Sequence, residues 1–136
     1  MHDGHSQAEL RETDARRLLA GCPDDQFVAA IQDVLRRFRP RGWMTVDQVA
    51  ELAEMSVRSF QRRLARQGET FAQVCEHTRA ELAKHLLECT QRPLSEIARE
   101  LGYTERTNFV RAFKRWTGMT PEQFRTESSN LSEDNP

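Results

Sequence analysis

Apolar residues recur at helical spacing along most of the chain. Phe27, Ile31, Val34, Leu35 and Phe38 fall at i, i+4, i+7, i+8 and i+11, one face of a helix that Pro40 terminates. Val46, Val49, Ala50 and Ala53 give i, i+3, i+4, i+7, and Leu94, Ile97, Ala98 and Leu101 repeat that spacing. Between them Phe71, Val74, Thr78, Leu82, Leu86 and Cys89 mark one stripe of a longer helix over 71–89. Strand alternation and hairpin signals are absent, so the pattern predicts an all-α chain.

The polar residues predict where these helices begin and end. Thr45, Thr70 and Thr120 each precede a Gln by three residues (Gln48, Gln73, Gln123), the spacing of a capping box. Pro121 stands in a first turn, where proline is tolerated. Ser56 and Thr104 are expected N-caps for helices over 57–67 and 105–117. Gly68, Gly102 and Gly118 fall where helices should close in the left-handed conformation. Seven helices are expected in 24–127. Residues 1–23 are expected to be an acidic extension or linker remnant with a short helix around 8–19, and 128–136 a disordered acidic tail.

The chain also repeats itself. Segment 46–67 matches 94–116: Val49-Ala50 aligns with Ile97-Ala98 and Met55 with Tyr103 at an offset of 48, then Phe60, Arg62 and Leu64 align with Phe109, Arg111 and Phe113 at 49. The one-residue slip falls in the turn. Each copy is a short helix, a brief turn and a longer basic helix, the helix-turn-helix plan whose second helix enters the DNA major groove.

The second helices have two faces. In 57–67, Phe60 and Leu64 point one way while Arg58, Gln61, Arg62 and, at the edge, Arg66 point away. In 105–117, Phe109, Ala112, Phe113 and Trp116 form the apolar stripe, with Arg106, Thr107, Asn108 and Arg111 opposite and Lys114 at the margin. Arg, Gln and Asn pair bidentately with guanine or adenine edges, whereas a marginal Lys suits a phosphate. Charge points the same way. The 136 residues carry a net charge of -1, but 36–125 hold 17 basic and 11 acidic residues between acidic ends of net -4 and -3. A basic middle of net +6 fits a polyanionic partner.

These residues resemble a known family. The run Ser95-Glu96-Ile97-Ala98-Arg99-Glu100-Leu101-Gly102-Tyr103, followed by 108–121 with Asn108-Phe109, Arg111-Ala112-Phe113 and Gly118-Met119-Thr120-Pro121, is similar to the second half of the AraC/XylS-type DNA-binding domain. Val49-Ala50, Met55-Ser56, Gln61-Arg62-Arg63-Leu64 and Gly68-Glu69-Thr70-Phe71 resemble its first half, and Arg79-Ala80-Glu81-Leu82-Ala83 its linker. The resemblance covers about 25–126. It implies a seven-helix domain with two helix-turn-helix units joined by a long linker helix, with Arg58, Gln61 and Arg62, and then Arg106, Thr107, Asn108 and Arg111, facing bases. Two departures stand out. Glu54 occupies a position where the family often has Gly, which implies a less tightly specified turn. Only about 24 residues precede the domain, where family members usually carry a sensing or dimerising domain. The chain is therefore either a minimal regulator or a piece of a longer one.

The expected function is that of a sequence-specific transcription regulator reading two successive major-groove segments. A helix of about 18 residues spans about 27 Å, against a groove repeat of about 34 Å, so a monomer could serve both. Duplex DNA is the expected partner, RNA polymerase subunits a candidate second one, and the cytoplasm the expected location. The alternative is a protein-interaction module using the same basic faces. No enzyme, cofactor, metal or membrane role is expected. No apolar run approaches the ~20 residues of a membrane span. Cys22, Cys75 and Cys89 contain no C-x-x-C pair. The pairs His2 and His5, and His77 and His85, lack metal-ligand spacing. Cys75 and Cys89 are expected to pack or half-pack on the linker helix, and Asp24-Asp25 to start a helix.

Overall fold

The computed structural model describes residues 11–134; His2 and His5, and the part of the first expected helix before residue 11, lie outside them. Among the described residues there are eight α-helices, two short 3-10 turns and no strand. The helices are α1 (Glu12–Ala20), α2 (Phe27–Phe38), α3 (Val46–Leu52), α4 (Val57–Arg66), α5 (Phe71–Cys89), α6 (Leu94–Glu100), α7 (Arg106–Thr117) and α8 (Pro121–Asp134). None of them is long and apolar enough to cross a membrane. The chain divides into two compact units, one ending at Thr78 and one beginning at Arg79, so α5 contributes to both.

The first unit is built on α2. Its apolar face, with Phe27, Ile31, Val34, Leu35 and Phe38, is buried as the periodicity predicts, together with Val49, Ala50 and Leu52 of α3 and Phe60 and Leu64 of α4. Phe60 sits edge-on to Phe27 at 5.6 Å and to Phe71 at 6.0 Å between ring centres. Such pairs add roughly 0.5–1.5 kcal/mol beyond the area they bury. The helix α1 belongs to this core. Ala15 and Leu19 are fully buried, α1 packs on α2 and α3, and an Arg16 guanidinium N–H donates to the Glu51 carbonyl at 3.2 Å.

The second unit buries Leu94, Ile97, Ala98 and Leu101 with Phe109, Ala112 and Phe113 of α7, and with Ala80, Leu82, Ala83, Leu86 and Leu87 of α5. Phe113 lies at its centre, edge-on to Phe109, Trp116 and Phe124. Arg79 Nε donates to the Leu101 carbonyl at 2.9 Å, and Arg125 donates to the carbonyls of Leu87 and Thr90 at 3.3 Å. On α5, buried Thr78 satisfies its hydroxyl by donating to the Val74 carbonyl at 2.7 Å.

All three expected capping boxes form with both hydrogen bonds present, and Ser56 Oγ caps α4 by accepting from the Ser59 N–H at 3.1 Å. Four readings change. Thr104 is not a cap: α7 begins at Arg106, its N-cap is Glu105, and no side chain caps it. Helix α4 ends at Arg66, one residue before the expected 67. In place of a disordered tail from 128, α8 continues to Asp134, because no Gly or Pro interrupts it after Pro121. Cys89 is exposed rather than packed, since the buried positions of α5 end at Leu87.

Candidate nucleic-acid interface

Two helix–turn–helix units stand at equivalent places in the repeat: α3 with α4, and α6 with α7. Their turns close with the same hydrogen bonds. In the first, the Glu54 N–H donates to the Glu51 carbonyl and the Met55 N–H to the Ala50 carbonyl, both at 3.0 Å. In the second, the Gly102 N–H donates to the Arg99 carbonyl at 3.0 Å and the Tyr103 N–H to the Ala98 carbonyl at 2.9 Å. All four atom pairs are related by 48 residues. This is the Schellman closure, which requires a left-handed residue just past the helix. Gly102 adopts it at φ 92° and Glu54 at φ 59°. Glu54 thus takes the glycine conformation and bears its steric cost, and the turn is as closely specified as its partner. The C-caps Ala53 and Leu101 are 48 apart, whereas the N-caps Ser56 and Glu105 are 49 apart. Thr104 is therefore the inserted residue, which explains why it does not cap.

The second helices show the two predicted faces. On α4, Phe60 and Leu64 are buried, while Arg58, Gln61, Arg62 and Arg66 are exposed. On α7, Phe109, Ala112 and Phe113 are buried and Trp116 is half-buried, while Arg106, Thr107, Asn108, Arg111 and Lys114 are exposed. Among the described residues, the side chains of Arg58, Arg62, Arg111 and Lys114 have no hydrogen-bond or ion-pair partner. Their charges are solvated and free to meet an anion. Two expected site residues are already paired. An Arg66 guanidinium nitrogen lies 3.3 Å from Asp24 Oδ2, and one of Arg106 lies 3.9 Å from Glu122 Oε2.

Arg63 was not singled out from the sequence, yet it joins α4 to the segment before α2. Its Nε donates to Asp24 Oδ1 at 2.7 Å, a second N–H donates to the Cys22 carbonyl, and its guanidinium carbon lies 3.9 Å from the centre of the Phe27 ring. Its side chain is only 16% exposed. The repeat carries the signal: at an offset of 49 Arg63 aligns with buried Ala112, so its position faces inward. Asp24 does begin a 3-10 turn, as a helix-start reading expects, but its carboxylate is committed to α4.

A bundle with two such units, each presenting an arginine-bearing second helix, defines a double helix-turn-helix protein. A helix-turn-helix domain model matches residues 49–127. The chain is 41% identical over 87 residues to the ornithine utilization regulator of Pseudomonas aeruginosa, covering 64% of this chain and 26% of that protein. It is 38% identical over 90 residues to the HTH-type transcriptional regulator VirS of Mycobacterium tuberculosis, covering 66% and 26%. The chain thus spans about a quarter of the length of these relatives. Its fold is similar to that of a DNA-binding transcriptional dual regulator from Escherichia coli K-12, at a TM-score of 0.71 and 21% identity over 82% of this chain and 97% of that one. It is also similar to an AraC-type DNA-binding domain-containing regulator from Chromobacterium violaceum, at 0.61 and 19% over 64% and 79%. The chain belongs to the AraC-type helix-turn-helix family.

Proposed function

We propose that the protein is a sequence-specific, duplex-DNA-binding transcription regulator that works by binding and not by catalysis. The observation that carries this is the duplicated unit in which both second helices turn unpartnered arginines to solvent, opposite a buried apolar face. The names of its relatives support the reading. Arg58, Gln61 and Arg62 on α4, and Arg106, Thr107, Asn108 and Arg111 on α7, are the proposed base readers. Arg66 and Lys114 are the proposed phosphate contacts. One monomer would engage two major-groove segments about 10–10.5 base pairs apart, the separation of successive groove faces. Regulation would follow from the bound protein meeting RNA polymerase subunits in the cytoplasm.

The test is selection of bound duplexes from a random pool by the wild-type chain and by three variants. A bidentate Arg–guanine pair is worth about 1–3 kcal/mol of discrimination. Arg62→Ala and Arg111→Ala should each weaken binding by that amount and relax preference at one or two base pairs, the two sets lying one helical turn apart. Lys114→Ala should weaken all sequences alike, as loss of a phosphate contact does. Uniform weakening by both arginine variants, with the preferred sequence intact, would show that they hold backbone and overturn the assignment.

A further inference from the structure

Helix α4 is tied to its unit by more than its apolar face. The Arg63 side chain, only 16% exposed, ends on three groups from outside the helix-turn-helix. Its Nε donates to Asp24 Oδ1 at 2.7 Å, its Nη2 donates to the Cys22 carbonyl, and its guanidinium carbon lies 3.9 Å from the centre of the Phe27 ring. Because two nitrogens of one rigid plane donate to different acceptors, the guanidinium is fixed in direction as well as in place. Phe27 is fully buried and edge-on to Phe60, and Asp24 lies in the 3-10 turn that leads into α2, so the anchor is continuous with the α2 core. The Arg66 contact with Asp24 is exposed and adds little. The buried apolar side chains of α4, Phe60 and Leu64, pack without the directional constraint that a hydrogen bond imposes. In the second unit Ala112 stands at the equivalent place and has no polar group to offer.

We propose that Arg63 is a positioning residue for DNA reading: from the inner side of α4 it sets the rotation and depth at which Arg58, Gln61 and Arg62 meet base edges. The inference rests on the DNA-binding reading above. A helix with its side chains is about 10–12 Å across, so a rotation of about 10–20° about its axis moves an outer tip by about 1–2 Å. Hydrogen bonds to base edges hold only over about 2.7–3.2 Å, and a recognition group has to be kept within about 0.5 Å of its working place. A small rotation of α4 therefore forfeits a bidentate Arg62 pair while the helix stays folded and its charges stay beside the duplex. Those charges still meet phosphates, so sequence-independent affinity survives where base preference does not. A residue that only stabilised the fold would act differently. Its loss would lower the folded fraction and cost every sequence the same factor.

The experiment measures the affinity of the whole chain, well below the melting temperature of each variant, for the duplex selected from a random pool by wild type and for versions of it with single base-pair changes. Arg62→Ala and Arg111→Ala mark the base pairs read by α4 and by α7. Arg63→Met keeps an apolar stem against Phe27 and removes every N–H of the anchor. A bidentate Arg–guanine pair discriminates by about 5- to 150-fold. On that scale Arg63→Met should lower the preference at the α4 base pairs by about 5-fold or more and change it at the α7 base pairs by less than about twofold. Asp24→Ala removes part of the anchor without altering α4, and serves if Arg63→Met fails to fold: it should relax the same base pairs by about threefold or more. The Arg66 that it releases acts on all sequences alike and leaves the ratios unchanged. Preference intact at the α4 base pairs, whatever the melting temperature does, overturns the proposal, as does equal relaxation in both segments. A wild type with no preferred sequence, or with no base pair relaxed by Arg62→Ala, defeats the DNA-reading assignment and this proposal together. Wild-type preference marked by both arginines, and unchanged when the Arg63 anchor is removed, defeats this proposal alone.

Discussion

Phe113 offers the sharpest test of how the second unit is held together. It is fully buried, and its ring meets Phe124 at 5.3 Å, Phe109 at 6.0 Å and Trp116 at 6.3 Å between centres, at interplanar angles of 74°, 60° and 69°. All three are edge-to-face contacts. Phe113→Ala removes them at once and leaves a hole bounded by α7 and α8. Truncating a buried Phe costs about 3–5 kcal/mol, transfer and cavity together. Three edge-to-face partners, each worth roughly 0.5–1.5 kcal/mol beyond area, place this site in the upper part of that range. The loss is comparable with the whole stability of a small domain, about 5 kcal/mol at the low end. The chain has two tryptophans, Trp43 in the first unit and Trp116 in the second. Urea unfolding in a Trp43→Phe background therefore reports the second unit through Trp116. With m of about 1–2 kcal/mol per M, the midpoint should fall by about 2–5 M. A shift worth less than about 1 kcal/mol would mean that Phe113 is not a core residue, and that the face of α7 assigned to DNA is wrong.

Two further outcomes follow from local geometry. Glu54→Gly relieves the left-handed strain at φ 59°, worth about 1–2 kcal/mol, against a glycine entropy cost of about 0.5–1 kcal/mol. Thermal unfolding should therefore show a net gain of about 0.5–1 kcal/mol, and a loss would contradict the equivalence of the two turns. The cysteines should alkylate in the native state in the order Cys89, Cys22, Cys75, read by mass spectrometry, because they are exposed, half-buried and buried respectively. Burial pushes the Cys22 thiol up, with nearby Asp25 and Asp24 acting in the same direction and Arg63 against, so at neutral pH it holds less reactive thiolate, and its labelling should rise steeply only as pH increases.

The helices and their order were legible because each is specified locally. The threonine–glutamine boxes, the left-handed glycines and the apolar stripe of α2 act within a few residues, and all appear where the pattern puts them. The two faces of α4 and α7 were legible for the same reason: a 3.6-residue period decides which side is apolar, and the arginines fall on the other. The repeat made the two units readable together, down to the inserted residue in the second turn.

What the tertiary structure decided depends on residues distant in the chain. The sequence marks Asp24 as a turn residue and Arg63 as one arginine among four; their pairing across 39 positions exists only because α2 brings Phe27 against Phe60. Ala15 and Leu19 draw α1 into the core of the first unit, although an acidic segment reads as an extension until α2 and α3 offer it an apolar surface. Glu54 takes the left-handed conformation because the 6→1 hydrogen bond from Met55 to Ala50 and the packing of α3 on α4 over-determine it, against its own local preference. Periodicity and capping act within a helical turn and are written in neighbouring residues. Ion pairs between elements, the burial of α1 and tolerated backbone strain are settled only when the helices meet.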